Sequence, residues 1–237
     1  GKKPSGSQIH ALPRKLASIM ISSMTHFDSI TTPASRRHFI KGMTTATLVA
    51  GIPQIALGAN ISLEEAVAPR MLGKSDAPVQ VAEYYSMTCG HCAAFHNNIF
   101  PTVKSKMIDT GIVRFEMRPF PLDGLALRAH ALVRSVPQKK FFPLVKVLLA
   151  QHPVWVRAED PLAALMKIAR LAGVSAEEFN AIMRNRELLE AIVALRQKGT
   201  DDWQIASTPS FVINDDEVLS GNITYEDFAE RLSAFGA

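Results

Sequence analysis

Between Val79 and Tyr85 the chain reads Val-Gln-Val-Ala-Glu-Tyr-Tyr, an alternating run rich in β-forming side chains, which predicts a strand. Alternation returns over Ile112–Arg118, with Val113, Phe115 and Met117 on one face and Arg114, Glu116 and Arg118 on the other. After a short Ser86-Met87-Thr88 turn, the pattern between these strands predicts a helix from Cys89 to about Asp109. It is expected to kink at Pro101 and to end at Gly111. Strand, helix and strand in that order form a βαβ unit, so the two strands should run parallel. From about Leu125 to Gly199 the pattern is helical. Helices are predicted over Leu125–Val136, Phe141–Gln151, Asp160–Ala172 and Glu187–Lys198, and Ser175 with Glu178 forms a capping box that opens another. The strand pattern resumes at Ser210–Asn214, turns at Asp215–Asp216 and returns over Glu217–Ser220. Thr224 with Asp227 caps a last helix through Phe235. The expected fold is α/β: one central mixed sheet flanked by helices, with an all-helical subdomain inserted at about residues 124–200. Residues 59–77, with Glu64, Glu65 and Pro69, read as a short lead-in to a domain spanning 78–237.

Composition agrees with a folded chain: 237 residues, 47% hydrophobic and 20% charged. Two cysteines are too few for a disulfide-stapled miniature fold or a four-thiolate zinc site. The net charge of +4 is unevenly spread. Lys2, Lys3, Arg14, Lys15, Arg36, Arg37 and Lys41 face only Asp28 in residues 1–58, which leaves 19 basic and 21 acidic groups beyond. The basic excess therefore belongs to the leader, and nothing argues for nucleic acid.

That leader carries Ser35-Arg-Arg-His-Phe-Ile-Lys41, then an uncharged, moderately apolar stretch broken by Gly51 and Pro53, and closes on Ala56-Leu-Gly-Ala59. A basic region, a short apolar region and a small-residue end describe a secretory signal, expected to be cleaved after Gly58 or Ala59. The alternative is an ordinary N-terminal helix or an uncleaved anchor. Arg36–Arg37 followed by Phe39 and Lys41 resembles a twin-arginine signal, read here ahead of the general export route. Met24 is the expected natural start, with the residues before it outside any fold.

Both cysteines lie in Cys89-Gly90-His91-Cys92, directly after a predicted strand and at the opening of a helix. A disulfide reacts with a thiolate, and a helix N-terminus, with its unpaired N–H groups and positive dipole end, stabilises one. Cys89 is the expected exposed, attacked sulfur, and Cys92, one turn inside, the more buried resolving partner. His91, cationic or donating a hydrogen bond, would lower the Cys89 pKa further. A stabilised thiolate means a stabilised reduced form and a more oxidising disulfide. Two other readings stand beside redox chemistry. A structural disulfide would close too small a loop to constrain the unfolded chain much, and a metal site would combine the two sulfurs with His91 or His96.

Val81-Ala-Glu-Tyr-Tyr-Ser-Met-Thr-Cys-Gly-His-Cys92 resembles the active-site segment of the DsbA-like branch of the thioredoxin superfamily. Ser207-Thr-Pro-Ser-Phe-Val212 is similar to the cis-proline loop of that fold, and Phe115-Glu-Met-Arg-Pro-Phe-Pro-Leu122 to the second strand of its βαβ unit. The resemblance covers roughly residues 78–235. It implies a thioredoxin-like fold with a helical insertion, and a monomeric periplasmic thiol:disulfide interchange enzyme that needs no prosthetic group or metal. The implied substrates are unfolded or partly folded exported proteins with free thiols, and the implied reoxidant is a DsbB-like membrane quinone reductase. The Gly-His dipeptide, in place of the Pro-His of strong oxidants, implies intermediate oxidising strength. Alternatives are an isomerase or reductase kept reduced by a membrane electron donor, and a non-enzymatic copper- or zinc-binding chaperone.

Carried over by residue, Pro209 is expected to be cis and to sit against the cysteine pair. Thr208 would offer its backbone to an extended substrate, and its hydroxyl to the Cys89 thiolate. Glu83, six residues before Cys89, is the expected buried carboxylate that takes and returns the Cys92 proton. A solvent-facing strand glutamate is the alternative. His96 reads as a surface or packing residue rather than a catalyst, and Trp155 and Trp203 read as core.

Overall fold

A computed structural model describes residues 61–237. The leader reading, with Met24, Arg36–Arg37 and the cleavage point, lies outside the described residues. In chain order the elements are α1 (Leu63–Val67), β1 (Met71–Leu72), β2 (Val79–Tyr85), α2 (residues 90–108), β3 (Val113–Pro119), α3 (Gly124–Arg134), α4 (Gln138–Ala150), α5 (His152–Val156), α6 (Pro161–Leu171), α7 (Ala176–Arg184), α8 (Arg186–Trp203), β4 (Ser210–Ile213), β5 (Glu217–Ser220) and α9 (Tyr225–Ser233). The sheet order is β1-β3-β2-β4-β5. β2 and β3 run parallel, with Val79 opposite Val113 and Tyr85 opposite Pro119, as the βαβ reading requires. β4 adds antiparallel to the other side of β2, with Glu83 opposite Phe211, and β5 pairs back on β4. The expected α/β sheet with an all-helical insertion is the observed one.

The caps read from the sequence form as expected. Ser175 Oγ accepts the Glu178 N–H at 3.1 Å while Glu178 Oε2 accepts the Ser175 N–H at 2.7 Å. Thr224 Oγ1 accepts the Asp227 N–H at 3.1 Å. Inside the insertion α4 starts earlier, at Gln138, α8 runs on past Lys198 to Trp203, and the short α5 was not anticipated.

Two larger departures have physical causes. The lead-in carries α1 and an edge strand, β1, in which Met71 and Leu72 pair antiparallel with Glu116 and Phe115 of β3. Two buried arginines hold it. Arg70 and Arg134 are 1% and 2% exposed. Arg134 donates to the carbonyls of Ala66 at 2.8 Å, Ala68 at 3.2 Å and Met117 at 3.4 Å. Arg70 donates to Gln138 Oε1 at 2.7 Å and to the Arg134 carbonyl at 3.2 Å. Burial pulls the Arg134 pKa down to about 10, which still leaves it charged at neutral pH.

The second departure is in α2. Around the expected kink site at Pro101, the helix widens into π-helical turns at Phe95–Ile99 and Lys104–Ile108, on either side of the α-helical turn Phe100–Val103. Proline has no N–H to return to the preceding turn, and the wider turns let the chain pass it without a break. The first of these turns carries His96.

The sheet is covered on both faces. On one, Val79, Val81 and Tyr85 join Phe95, Phe115, Phe211 and Phe228 in the main core. On the other, Ala82, Tyr84 and Val212 pack with Phe120, Ile205 and the half-buried Trp203. Trp155 lies in the main core with Nε1–H donating to the Leu148 carbonyl at 2.8 Å. Glycine is required where α8 crosses β2: a Cβ on Gly199 would lie 2.4 Å from the Tyr84 ring. That ring is fixed by Arg118, which donates to the Tyr84 hydroxyl at 3.0 Å. In an open helix Gly→Ala stabilises by about 1 kcal/mol. Here Gly199→Ala should instead destabilise the chain by about 1–3 kcal/mol through overpacking. Urea unfolding measures this, and a variant as stable as the parent would show that the crossing has slack.

Candidate active site

β2 delivers the chain to the turn Ser86-Met87-Thr88, where the Cys89 N–H donates to the Ser86 carbonyl at 3.2 Å. Thr88 Oγ1 donates to Asp123 Oδ2 at 2.6 Å, and Asp123 Oδ1 accepts the Ala126 N–H at 2.7 Å as the N-cap of α3. One carboxylate thus ties the turn before the cysteines to the first helix of the insertion. Neither Thr88 nor Asp123 was singled out from the sequence. The available signal was the N-cap position of Asp123 at the start of a helical pattern.

Cys89 is itself the N-cap of α2, with extended backbone at φ −80° and ψ 118°. Both cysteines are free thiols. Cys92 is fully buried, as expected. Cys89, expected to be exposed, keeps only 8% of its surface accessible, because the Thr208–Pro209 turn lies over it. That peptide bond is cis, and the Cys89 Sγ–H donates to the Thr208 carbonyl at 3.3 Å. The contact in the dithiol form is thus with the backbone rather than the hydroxyl. Thr208 Oγ1 is buried and has no hydrogen-bond partner among the described residues.

The two sulfurs sit in opposite electrostatic surroundings. Cys89 is held down to about pH 5 from an ordinary 9.0. The hydrogen bond from Cys92 does most, burial opposes it, and the Thr208 side-chain hydroxyl, a donor available to the thiolate, and the N–H groups of Cys92 and His91 add to it. Cys92 is pushed well above its usual value, first by burial, then by the bond to Cys89 and by the charge of Glu83. His91 therefore acts on Cys89 through its backbone N–H. Its side chain is exposed and makes no hydrogen bond among the described residues.

Glu83 points inward, fully buried, on the same face of β2 as Val81 and Tyr85. Its Oε1 has no partner, and its Oε2 lies 2.7 Å from His96 Nε2. His96 is 9% exposed, so of the two expected readings the surface one fails and the packing one holds: the ring packs against Tyr85, Phe95 and Phe100, and it is also the one hydrogen-bond partner of the Glu83 carboxylate among the described residues. The sequence held a signal for this. Cys92 and His96 are four apart on one helix and share a face, so a buried Cys92 carries His96 inward with it. Among the described residues no three His, Cys, Asp or Glu side chains converge to hold a metal ion.

The thioredoxin family model matches residues 65–234. A candidate protein-disulfide oxidoreductase of Rickettsia conorii is 32% identical over 66% of this chain, which spans 56% of that relative's length. Disulfide bond formation protein D of Bacillus subtilis is 25% identical over 68% of this chain and 74% of its own. Among solved structures, alpha-DsbA1 of Wolbachia pipientis superposes with a TM-score of 0.65 at 28% identity, covering 70% of this chain and 90% of its own. BdbD of Bacillus subtilis, at 21% identity and a TM-score of 0.58, shares the fold. A family match of that extent, with the likeness to alpha-DsbA1 over most of its length, places the chain in the thioredoxin family, on its DsbA-like branch.

Proposed function

We propose that this chain is an exported, periplasmic thiol:disulfide oxidase that introduces disulfides into newly translocated proteins through Cys89 and Cys92. The observation that carries the reading is the placement of the two sulfurs: Cys89 caps α2 against the cis Thr208–Pro209 turn and Cys92 is sealed in the core beside Glu83, which sets Cys89 low and Cys92 high. A substrate thiolate attacks Cys89 Sγ of the oxidised pair. The Cys89–Cys92 bond breaks, and Cys92 leaves as a thiolate that takes up a proton. A second substrate thiolate then attacks the substrate sulfur of the mixed disulfide and expels Cys89 as its stable thiolate. The substrate is oxidised by two electrons, and the dithiol keeps them until a DsbB-like membrane quinone reductase removes them. Thr208 and Pro209 lie against Cys89, and an extended substrate segment would pair with the Thr208 backbone as an added strand. Once Cys89 ionises, its sulfur no longer donates to the Thr208 carbonyl, and the buried Oγ1–H of Thr208 can turn toward it. Export by the twin-arginine route and action as a monomer belong to the same reading.

The thiolate absorbance of the reduced protein should titrate near pH 5, and alkylation of Cys89 should persist down to that pH. An inflection near 9 would remove the oxidant reading. The sign for stability follows. Because the folded pKa lies below the unfolded one, ionised Cys89 stabilises the reduced fold fully above about pH 9, and this is lost as pH falls to about 5. The reduced protein should therefore melt above the oxidised one at pH 7, with the gap closing toward pH 5. In cells the pair should be found oxidised; a mostly reduced pair would point to an isomerase or reductase.

Glu83 is the proposed acceptor and donor of the Cys92 proton. Glu83→Gln should slow dithiol oxidation by about 10²-fold with the circular dichroism unchanged. Equal rates across pH would end this role.

A further inference from the structure

Glu83 is sealed from solvent, with one carboxylate oxygen unpartnered and the other on His96. A proton that Glu83 takes from Cys92 has no direct way out, and a proton that Cys92 needs has no direct way in. The His96 ring, 2.7 Å from Glu83 on one side, also lines a groove of about 510 Å³ between α2 and α4. Phe100, Met117 and Phe142 form its apolar wall, and Lys104 and Lys146 stand at its polar side.

We propose that His96 is a positioning residue for Glu83 that also relays its proton to water in this groove. This rests on the reading of Glu83 as the proton partner of Cys92. When Cys92 is deprotonated, its proton passes to the Glu83 carboxylate through one water, since the thiol and the carboxylate make no direct hydrogen bond. Glu83 Oε2–H passes it to His96 Nε2, and the ring releases a proton from Nδ1 to water. The reverse sequence supplies Cys92 when it leaves as a thiolate. An imidazole suits the task because its two nitrogens can accept and release at opposite edges of one ring. The π-helical turn Phe95–Ile99 carries the ring to a position that reaches both Glu83 and the groove.

The groups facing His96 are known from each element packed on it. β2 offers Glu83 and Tyr85, whose ring centre is 6.3 Å away and whose phenol burial holds neutral. α2 offers Cys92, and Lys104 paired with Asp109 at 2.6 Å. α4 offers Lys146, while β1 and β3 present Leu72, Phe115 and Met117. Glu83 is thus the only acid in contact with the ring among the described residues.

The test uses the full chain and oxidised glutathione. Reduced protein should react in two phases. The bimolecular phase reads attack by Cys89, and the unimolecular phase reads attack by Cys92 on the mixed disulfide. His96→Gln keeps a donor for Glu83 but cannot carry a proton. It should slow the unimolecular phase by about tenfold or more and flatten its pH profile between about pH 5 and 8. In a Glu83→Gln background it should add nothing. His96→Ala should behave alike and regain its rate with added imidazole, which the groove admits. A parental pH profile in His96→Gln, additive losses in the double variant, or a folded His96→Ala that imidazole does not rescue would each overturn the relay. Failure of the parent chain to exchange at all would instead overturn the oxidoreductase reading.

Discussion

The Cys89 sulfur lies where the first free N–H groups of α2 meet the Thr208–Pro209 turn, and the chemistry of the chain depends on how firmly that one atom is held. A thiolate at a helix start is stabilised only within the first turn, and only if its partners approach within hydrogen-bond distance. Two segments far apart in sequence supply them: the start of α2 and the loop before β4. Register brings them together. β4 pairs with β2 so that Ser210 lies opposite Tyr84, and the chain just before Ser210 is thereby set over the end of β2, where Cys89 begins the helix.

The same sheet explains why the two sulfurs differ. Cys89 sits at the helix end, where donors are unpaired. Cys92 is one turn on, against the core and within the field of a buried carboxylate. Burial and a nearby negative charge both favour the neutral thiol. The pair is therefore asymmetric by position, one sulfur at the helix end and the other in the core beside Glu83. Glu83 enters this balance because strand alternation turns it to the same face as Val81 and Tyr85, toward α2 rather than α8.

The insertion is coupled to the site through small contacts. Asp123 caps α3 and accepts Thr88, so the first inserted helix and the turn before Cys89 share one side chain. Tyr84, next to Glu83 on β2, is clamped from the other face by Gly199 of α8 and by Arg118. The helical block thus stiffens the strand that carries the site.

Much of this was legible along the chain. The alternation of Val79–Tyr85 and Ile112–Arg118, the capping pairs Ser175–Glu178 and Thr224–Asp227, and the cysteine pair after a strand are local patterns, and local patterns are governed by backbone propensity and side-chain period. They were enough for the βαβ unit, the helical insertion and the place of the reactive sulfurs. What escaped is non-local. Nothing local marks Arg134 as buried, because the carbonyls that satisfy it come from α1 and β3. β1 is too short to show a period and exists because β3 offers it an edge. The covering of Cys89 by Thr208, the pairing of His96 with Glu83 and the need for glycine at position 199 depend on distances between segments that only the closed sheet brings together. Periodicity tells which way a side chain faces. Only packing tells what it meets there.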